Sequence, residues 1–264
     1  KLIELSDALV GWIRGGLAMV NIVASLFFGG ISGSSAADTA SLGTILIPMM
    51  VKQGYDDDFS TDVTMASSVE GILSPPSHNI VIYSTVAGSE SVGRLFLAGF
   101  APGVCLGIVL MIYSYYISVK RNYPKGTPFN VKHLLKTAGS AVWGMFTVMI
   151  VVVGVVAGIF TATEAGAVAI LYAAFLGFIY HEMHIKDMIQ GLKETVCTTA
   201  SIMLIVSAAS VFSWILTKER IPQALTAWML ANIHSKAVFL IVVNIFLLFV
   251  GMLIEGNSYT IILV

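Results

Sequence analysis

The strongest constraint on the fold is a polar, glycine-rich gap inside an apolar stretch near the start of the chain. The gap lies within residues 28–50, FGGISGSSAADTASLGTILIPMM. The apolar run before it, 15–28, reaches only about 21 Å as a helix, whereas the hydrocarbon core of a bilayer is about 30 Å thick. Irregular polar backbone at membrane depth is tolerated only where protein or a wet cavity surrounds it. The stretch therefore predicts a re-entrant helical hairpin with a functional tip.

The composition shows why the bilayer is the relevant solvent. Hydrophobic residues make up 57% of the chain and charged residues 11%, and the mean hydropathy is +0.89. About a quarter of the residues in soluble domains are charged. The net charge of -1 gives no basis for nucleic-acid binding, which needs clustered basic residues. These features predict an all-α, polytopic membrane protein in a lipid bilayer.

The two cysteines give no sign of redox or metal chemistry. Cys105 and Cys197 lie far apart in sequence, each within an apolar run. This placement predicts two small buried side chains rather than a disulfide or a metal-binding pair.

The predicted hairpin tip carries small oxygen-bearing side chains that suit a desolvated ion or an anionic group. Ser35 and Asp38 have the spacing of a capping box, which assigns Asp38 to the start of the second half of the hairpin. Ser32 and Ser34 precede that cap. Their oxygens are therefore the first candidate ligands.

A second discontinuity lies at Ser74-Pro75-Pro76-Ser77, between helical pieces predicted over 61–73 and 78–88. Proline has no backbone N–H, so the carbonyls of Gly71 and Ile72 lose their helical partners. A kink satisfied by neighbouring serines or water is one reading. The tandem prolines inside a polar run favour the other, a broken helix whose carbonyl end coordinates a cation.

The rest of the chain is predicted to form spans and interfacial helices. Spans are predicted at 94–119, 138–160, 164–181, 196–216 and 237–254, and interfacial helices at 2–14 and 218–236. Thr161 and Glu164 form a further capping box, and the histidines at 181 and 184 are predicted to lie in an exposed loop. A basic cluster between residues 120 and 136 marks the cytoplasmic side of the membrane.

Two segments of the chain resemble one another. NIVASLFFGGISGSS at 21–35 and NIFLLFVGMLIEGNS at 244–258 each lead from an apolar run to a polar tip, and each follows an interfacial helix. The two units are predicted to enter the membrane from opposite sides. Inverted repeats with discontinuous helices are typical of secondary transporters. The start at Lys1 without a signal peptide, and the end inside an apolar run, predict a fragment of a longer protein.

Four motifs together resemble the large membrane subunit of tripartite ATP-independent periplasmic (TRAP) transporters. The motifs are GGISGSSAADTASLGTILIPMM, SPPSHNIVIY, GRLFLAGFAPG and GIFTATEAGAVAILY, and they span most of the chain. The chain departs from the family at GILSPP, where members have GPIIPP or a similar sequence. This departure introduces Ser74.

The resemblance implies a sodium-driven importer of organic acids such as C4-dicarboxylates or sialic acid, and not an enzyme. It further implies an elevator motion in the bacterial inner membrane, a periplasmic substrate-binding protein and a small membrane (Q) subunit. The Na+ ligands that it implies are Ser32, Ser34, Gly71, Leu73 and Pro76. A second sodium site is expected near 251–258. The candidates for contact with a substrate carboxylate are Ser35, Thr39, Ser77 and Asn79.

The predicted organisation has five segments. They are an interfacial arm helix at 1–14, the first hairpin and broken helix of a transport domain at 15–93, scaffold spans and a cytoplasmic arm at 94–195, a span and second interfacial arm at 196–236, and the start of a second hairpin at 237–264.

Three alternatives remain open from the sequence. An intramembrane serine protease would use Ser32 of the GISG motif as nucleophile and His78 as base. A proton-coupled carrier would use Glu70, an ionisable residue beside the break. An ion channel is disfavoured, because hairpins that enter from opposite faces suit alternating access.

Overall fold

The computed structural model is α-helical, and it describes residues 1–88, 90–126, 128–181, 183–233, 235–253, 256 and 260–261. The helices are α1 (Leu2–Val10), α2 (Gly16–Ser32), α3 (Ser35–Lys52), α4 (Asp57–Ser68), α5 (Glu70–Leu73), α6 (His78–Ala87), α7 (Val92–Lys120), α8 (Val131–Val156), α9 (Ala162–Ile179), α10 (Ile185–Lys218), α11 (Ile221–Asn232) and α12 (Lys236–Leu253). The described residues form no strand, and one isolated bridge pairs Arg14 with Lys125.

In the described part of the chain, five helices are long and apolar enough to cross a membrane: α7, α8, α9, α10 and α12. Each corresponds to a predicted span, so the prediction of a helical membrane protein is confirmed. Two helices start earlier than predicted, α8 at Val131 rather than 138 and α10 at Ile185 rather than 196. The first turn of α8 is polar but is capped by the Asn130 side chain, which accepts a hydrogen bond from the Lys132 N–H at 3.0 Å.

The chain divides into two compact units. One contains Lys1–Ser84 and Ser89–Glu182, and the other contains Thr85–Gly88 and Met183–Val264. In the first unit α2 is central and packs against α1, α3, α4, α5 and α7. In the second unit α10 packs against α11. All of the polar contacts described below lie within the first unit.

The first hairpin consists of α2 and α3 joined by a two-residue turn. The predicted end of its first helix at residue 28 is wrong, because Gly29 and Gly30 continue the helix and Gly33 ends it. Gly33 has φ of 63°, and its N–H donates to the Gly29 carbonyl at 2.8 Å. The 17 residues of α2 span about 26 Å, which is still short of a bilayer core.

The arm helix and the first half of the broken helix also differ from their predicted bounds. The arm helix α1 ends at Val10 rather than at 14, since Gly11 is a poor helix former and its N–H already closes the last turn on Asp7. The piece predicted at 61–73 is divided into α4 and α5 by an interruption at Val69. The predicted break at 74–77 is present, and the peptide bond between Pro75 and Pro76 is cis.

Two further predictions have clear outcomes. The capping box at the start of α9 is confirmed, because Thr161 Oγ1 accepts from the Glu164 N–H at 3.3 Å and Glu164 accepts from the Thr161 N–H at 2.8 Å. The predicted burial of Cys105 and Cys197 is wrong, although both are free thiols as expected. They lie on exposed faces of α7 and α10, two helices long and apolar enough to cross a membrane.

Candidate functional site at the hairpin tip

The tip of the first hairpin packs directly against the break at residues 74–77. A Cβ atom on Gly33 would lie 2.9 Å from the Pro76 carbonyl oxygen and 3.2 Å from the His78 nitrogen. One helical turn deeper, a Cβ on Gly71 would lie 3.2 Å from the Gly29 Cα. Any larger residue at these glycines would separate the two elements, so glycine is required for the approach.

Several of the oxygens implied as sodium ligands gather at this contact. The Ser32 hydroxyl lies 3.4 Å from both the carbonyl oxygen and the nitrogen of Ser34. The Ser34 carbonyl oxygen is 3.7 Å from the position of a Cβ on Gly71. With the Pro76 carbonyl facing Gly33, the structure brings four of the five implied ligand residues together.

The carbonyl of Leu73, the fifth implied ligand, does not face the hairpin tip. Its oxygen lies 2.8 Å from the position of a Cβ on Gly99, in α7. This carbonyl therefore faces α7 rather than the hairpin tip.

The cap of α3 is Ser34 and not Ser35, so the predicted capping box is wrong by one residue. Ser34 has extended backbone angles, and its hydroxyl accepts a hydrogen bond from the Ala37 N–H at 3.4 Å. The left-handed residue Gly33 ends α2 immediately before it, which leaves Ser34 as the first residue able to cap. The Ser34 hydroxyl is thus used in capping, and its carbonyl is the oxygen that faces Gly71.

Asp38 is a buried acid rather than a cap. Its side chain is 1% exposed, and neither carboxylate oxygen has a hydrogen-bond partner among the described residues. It faces the hydroxyl of Ser25 without meeting the geometry of a hydrogen bond.

A row of polar contacts, which the sequence reasoning missed, joins α2 to α4 below the tip. Asn21 donates to the Thr64 hydroxyl at 2.6 Å, and the hydroxyls of Ser25 and Ser67 lie 3.0 Å apart. Gly29 continues the same face of α2 one turn later. The spacing of four residues from Asn21 to Ser25 to Gly29 was the available signal, because it places all three on one face.

The helix α7 presents a row of glycines to the segment before the break. A Cβ on Gly103 would lie 3.4 Å from the Ser74 hydroxyl, and a Cβ on Gly107 would lie 3.1 Å from Glu70 Oε1. Glu70 is completely buried, and both of its carboxylate oxygens lack partners among the described residues. The glycines of α7 therefore create the space that this carboxyl group occupies.

Glu70 and Asp38 are thus two buried carboxyl groups without hydrogen-bond partners among the described residues. A buried carboxylate without a partner is costly in free energy, and acids within a membrane domain are commonly functional. The two groups therefore require a proton or a cation for neutralisation.

The four predicted substrate contacts are distributed over two elements. Ser77 is buried beside Gly33, and its hydroxyl and the side-chain oxygen of Asn79 lack partners among the described residues. Ser35 and Thr39 are half-exposed in the first two turns of α3. The tip of the predicted second hairpin, with its sodium site at 251–258, lies largely outside the described residues.

A comparison with known families identifies the scaffold that carries this site. Residues 1–264 match the family model described as the tripartite ATP-independent periplasmic transporter, DctM component. The chain belongs to this family. The resemblance inferred from the sequence motifs is therefore confirmed.

Curated TRAP proteins are similar along the whole chain. The sialic acid TRAP transporter large permease protein SiaM of Vibrio cholerae is 41% identical over 100% of this chain and 62% of its own length. The C4-dicarboxylate TRAP transporter large permease protein DctM of Pseudomonas aeruginosa is 38% identical with the same coverage. The isethionate TRAP transporter permease protein DctMQ of Oleidesulfovibrio alaskensis is 34% identical over 100% of this chain and 42% of its own length.

Two facts follow from these relatives. The chain spans about three-fifths of the length of the two large permease proteins. The relatives are named as permeases and not as enzymes. The names of these relatives support the prediction of a permease and do not support the serine-protease alternative.

Proposed function

We propose that this TRAP chain takes part in sodium-coupled import of an organic acid, with the ion bound where the hairpin tip meets the break. The contact of Gly33 and Ser34 with Pro76 and Gly71 carries this proposal. The Ser32 hydroxyl lies 3.4 Å from the Ser34 carbonyl there, and the Pro76 carbonyl lies beside Gly33, which supports an oxygen-lined ion site. Small, hard cations favour such oxygen ligands, and broken helices supply them in secondary transporters.

The ion and the substrate are coupled through the same few residues. An ion held by Ser32, the Ser34 carbonyl and the Pro76 carbonyl would fix the tip against the break. The N-terminal turn of α3, with the half-exposed Ser35 and Thr39, would then lie beside the unpartnered oxygens of Ser77 and Asn79. Backbone N–H groups at the start of a helix attract anions, which suits a carboxylate substrate.

The substrate class is an organic acid. Relatives are named for sialic acid, C4-dicarboxylate and isethionate, and all three are organic anions. Our proposal for this chain is a sugar acid such as sialic acid or a C4-dicarboxylate. The buried Ser74 hydroxyl, which lies close to Gly103 of α7, is our candidate for the residue that decides between them.

The assembly and the motion are those of the family. We propose a location in the bacterial inner membrane, a periplasmic substrate-binding protein that delivers the substrate, and a small Q subunit that braces the large one. The name DctMQ of one relative joins the M and Q designations in a single protein. The transport step would be an elevator movement of the hairpin and broken helix.

The test is uptake by the full-length protein in proteoliposomes, with its small subunit and binding protein supplied. We expect an inward sodium gradient to drive accumulation of radiolabelled sialic acid or malate, and we expect a potassium gradient of the same size to fail. Uptake that is indifferent to sodium would contradict the proposal.

Proton coupling is the second candidate, and the burial of Glu70 favours it. A completely buried carboxyl group without a hydrogen-bond partner can carry a proton across the membrane as part of the moving domain. The same proteoliposomes distinguish the two. A pH gradient that drives uptake without sodium, and a Glu70→Gln variant that abolishes this uptake, would support proton coupling instead.

A further inference from the structure

A large cavity in the first unit lies far from the hairpin tip, at the base of the hairpin. Its volume is about 630 Å³, which is within the range of about 300–1,000 Å³ that is common for ligand sites. The arm helix α1 and the loop at 124–126 form two of its walls. Nothing in the proposed transport cycle uses this cavity.

The walls of the cavity combine opposite charges with an apolar floor. Glu4 and Asp7, one turn apart on α1, face the cavity from one side. Lys125 and His133 face it from the loop and from the start of α8. Leu17 of α2 forms part of the floor. The cavity therefore offers acceptors, donors and an apolar surface to a single ligand.

The acids and the bases of the cavity do not neutralise one another. Within the described residues, neither Glu4 nor Asp7 forms an ion pair with Lys125 or His133, and Glu4 lies 3.9 Å from the Lys1 ammonium. The loop that carries Lys125 is attached to the start of the hairpin, since the Gly15 N–H donates to the Pro124 carbonyl at 3.1 Å and Arg14 donates to Asn122 at 3.0 Å. The loop is thus held by contacts that do not use Glu4 or Asp7.

The position of the cavity suggests its ligand. It lies at the end of α7 that carries the basic cluster, where the phospholipid headgroups of the predicted cytoplasmic leaflet are found. The helix α1 has the pattern of an interfacial helix. An anionic headgroup would be repelled by Glu4 and Asp7, whereas a headgroup with both a phosphate and a primary amine would pair with both walls.

We propose that this cavity binds a phospholipid of the phosphatidylethanolamine type. Its amine donates to Asp7 and Glu4, its phosphate accepts from Lys125 and His133, and an acyl chain covers the apolar floor. The lipid would join the arm helix to the base of the hairpin.

The test measures the melting temperature of the full-length protein in detergent with dioctanoyl-phosphatidylethanolamine, -phosphatidylcholine or -phosphatidylglycerol at equal concentrations. We expect the ethanolamine lipid to raise the melting temperature most. The choline lipid keeps the phosphate but has no N–H donor, so its effect should be smaller. Equal shifts with all three lipids, or the largest shift with the glycerol lipid, would overturn the proposal.

Two variants separate the two walls. Asp7→Asn should reduce the preference for ethanolamine over choline by about tenfold in affinity, because a charge-assisted hydrogen bond is lost. Lys125→Gln should weaken both lipids, because both carry the phosphate. Asp57→Asn and Lys120→Gln change the same residue types outside the cavity and should leave lipid binding unchanged. An unchanged preference in Asp7→Asn would overturn the assignment.

The wild-type protein gives a second measurement that does not depend on the folding of any variant. Native mass spectrometry of the protein with equal amounts of the ethanolamine and choline lipids should show retention of the ethanolamine lipid. Equal retention of the two lipids would overturn the proposal.

Discussion

The two ends of the first hairpin are built on different principles. At the base, large aromatic side chains pack together, with the ring centroids of Tyr55 and Tyr123 4.4 Å apart and those of Phe59 and Tyr123 5.3 Å apart. At the tip, glycines bring backbone against backbone, and buried oxygens such as that of Ser77 lack partners. The aromatic cluster of the base packs without a ligand, whereas the tip needs a ligand to satisfy its oxygens.

The Tyr123 hydroxyl of the base is paired, in contrast to the Ser77 hydroxyl of the tip. The Tyr123 hydroxyl donates to the Asp56 carboxylate at 2.8 Å, and Arg121 donates to the same carboxylate. Ion binding should therefore change the stability of the tip and leave the base unaffected. The following predictions test this difference.

The largest effect is expected from Tyr123→Ala at the base. Loss of a buried aromatic side chain typically destabilises by about 3–5 kcal/mol, and Tyr123 is 4% exposed. We expect a correspondingly lower free energy of unfolding in sodium and in potassium alike. Tyr123→Phe is the matched control: it keeps the ring and loses only the hydrogen bonds of the hydroxyl with Asp56 and Arg121, so its loss should be smaller than that of Tyr123→Ala. A cost for Tyr123→Ala that appears in only one of the two ions would contradict the separation of base and tip.

The next largest effect is expected from Gly29→Ala, at the point where α2 meets Gly71. The new methyl group would collide with the Gly71 backbone, and such overpacking costs about 1–3 kcal/mol. Gly144→Ala in α8 is the control, since a Cβ there meets nothing within 4 Å. Thermal unfolding should show a loss for the first variant and no loss for the second. Equal melting temperatures would mean that the tip does not depend on this close approach.

A smaller effect is expected from Ser34→Ala, which removes the cap of α3 but keeps the carbonyl proposed as an ion ligand. Loss of an N-cap side chain costs about 1 kcal/mol. We expect the same decrease in the free energy of unfolding in sodium and in potassium. The Ser34→Gly variant should lose only about a few tenths of a kcal/mol, because glycine is tolerated at an N-cap. A decrease confined to sodium would instead make the Ser34 hydroxyl a ligand.

The smallest effect is expected at the exposed rim of the base, from Asp56→Asn. The hydrogen bond from Tyr123, followed by that from Arg121, lowers the pKa of Asp56 below its ordinary value of 3.8. Because the pKa is lower in the folded state, the stabilisation is complete above about pH 5 and is lost as the pH falls through the folded pKa. The difference in melting temperature between wild type and variant should therefore disappear in acid. A difference that grows below pH 4 would contradict the assignment, and Asp57→Asn serves as control.

The local features of this fold were readable from the sequence because neighbouring residues determine them. The tandem prolines predicted the break, and Thr161 with Glu164 predicted the start of α9. The hairpin cap was misplaced by one residue, because which serine caps α3 depends on whether Gly33 or an earlier glycine ends α2. The glycines at 29, 30 and 33 have the same intrinsic propensity to end a helix, and only their tertiary contacts distinguish them.

The contacts that complete the site join distant parts of the chain and could not be read from local patterns. The burial of Glu70 depends on Gly107 of α7, and the base depends on Tyr123 reaching Asp56 across 67 residues. The partner of each polar face is set by packing, and one sequence does not specify which helices are neighbours. The row formed by Asn21, Ser25 and Gly29 could have been recognised as a polar face, but its partners on α4 and α5 could not.

The most direct test of the central claim compares the melting temperature of the full-length protein in sodium and in potassium at equal ionic strength. A ligand present at about 100 times its dissociation constant stabilises by about 2.7 kcal/mol. We predict a higher melting temperature in sodium for the wild type, loss of that difference in Ser32→Ala, and its retention in Ser41→Ala, which changes an exposed serine of α3. Equal melting temperatures of the wild type in the two ions would contradict a sodium site at the hairpin tip.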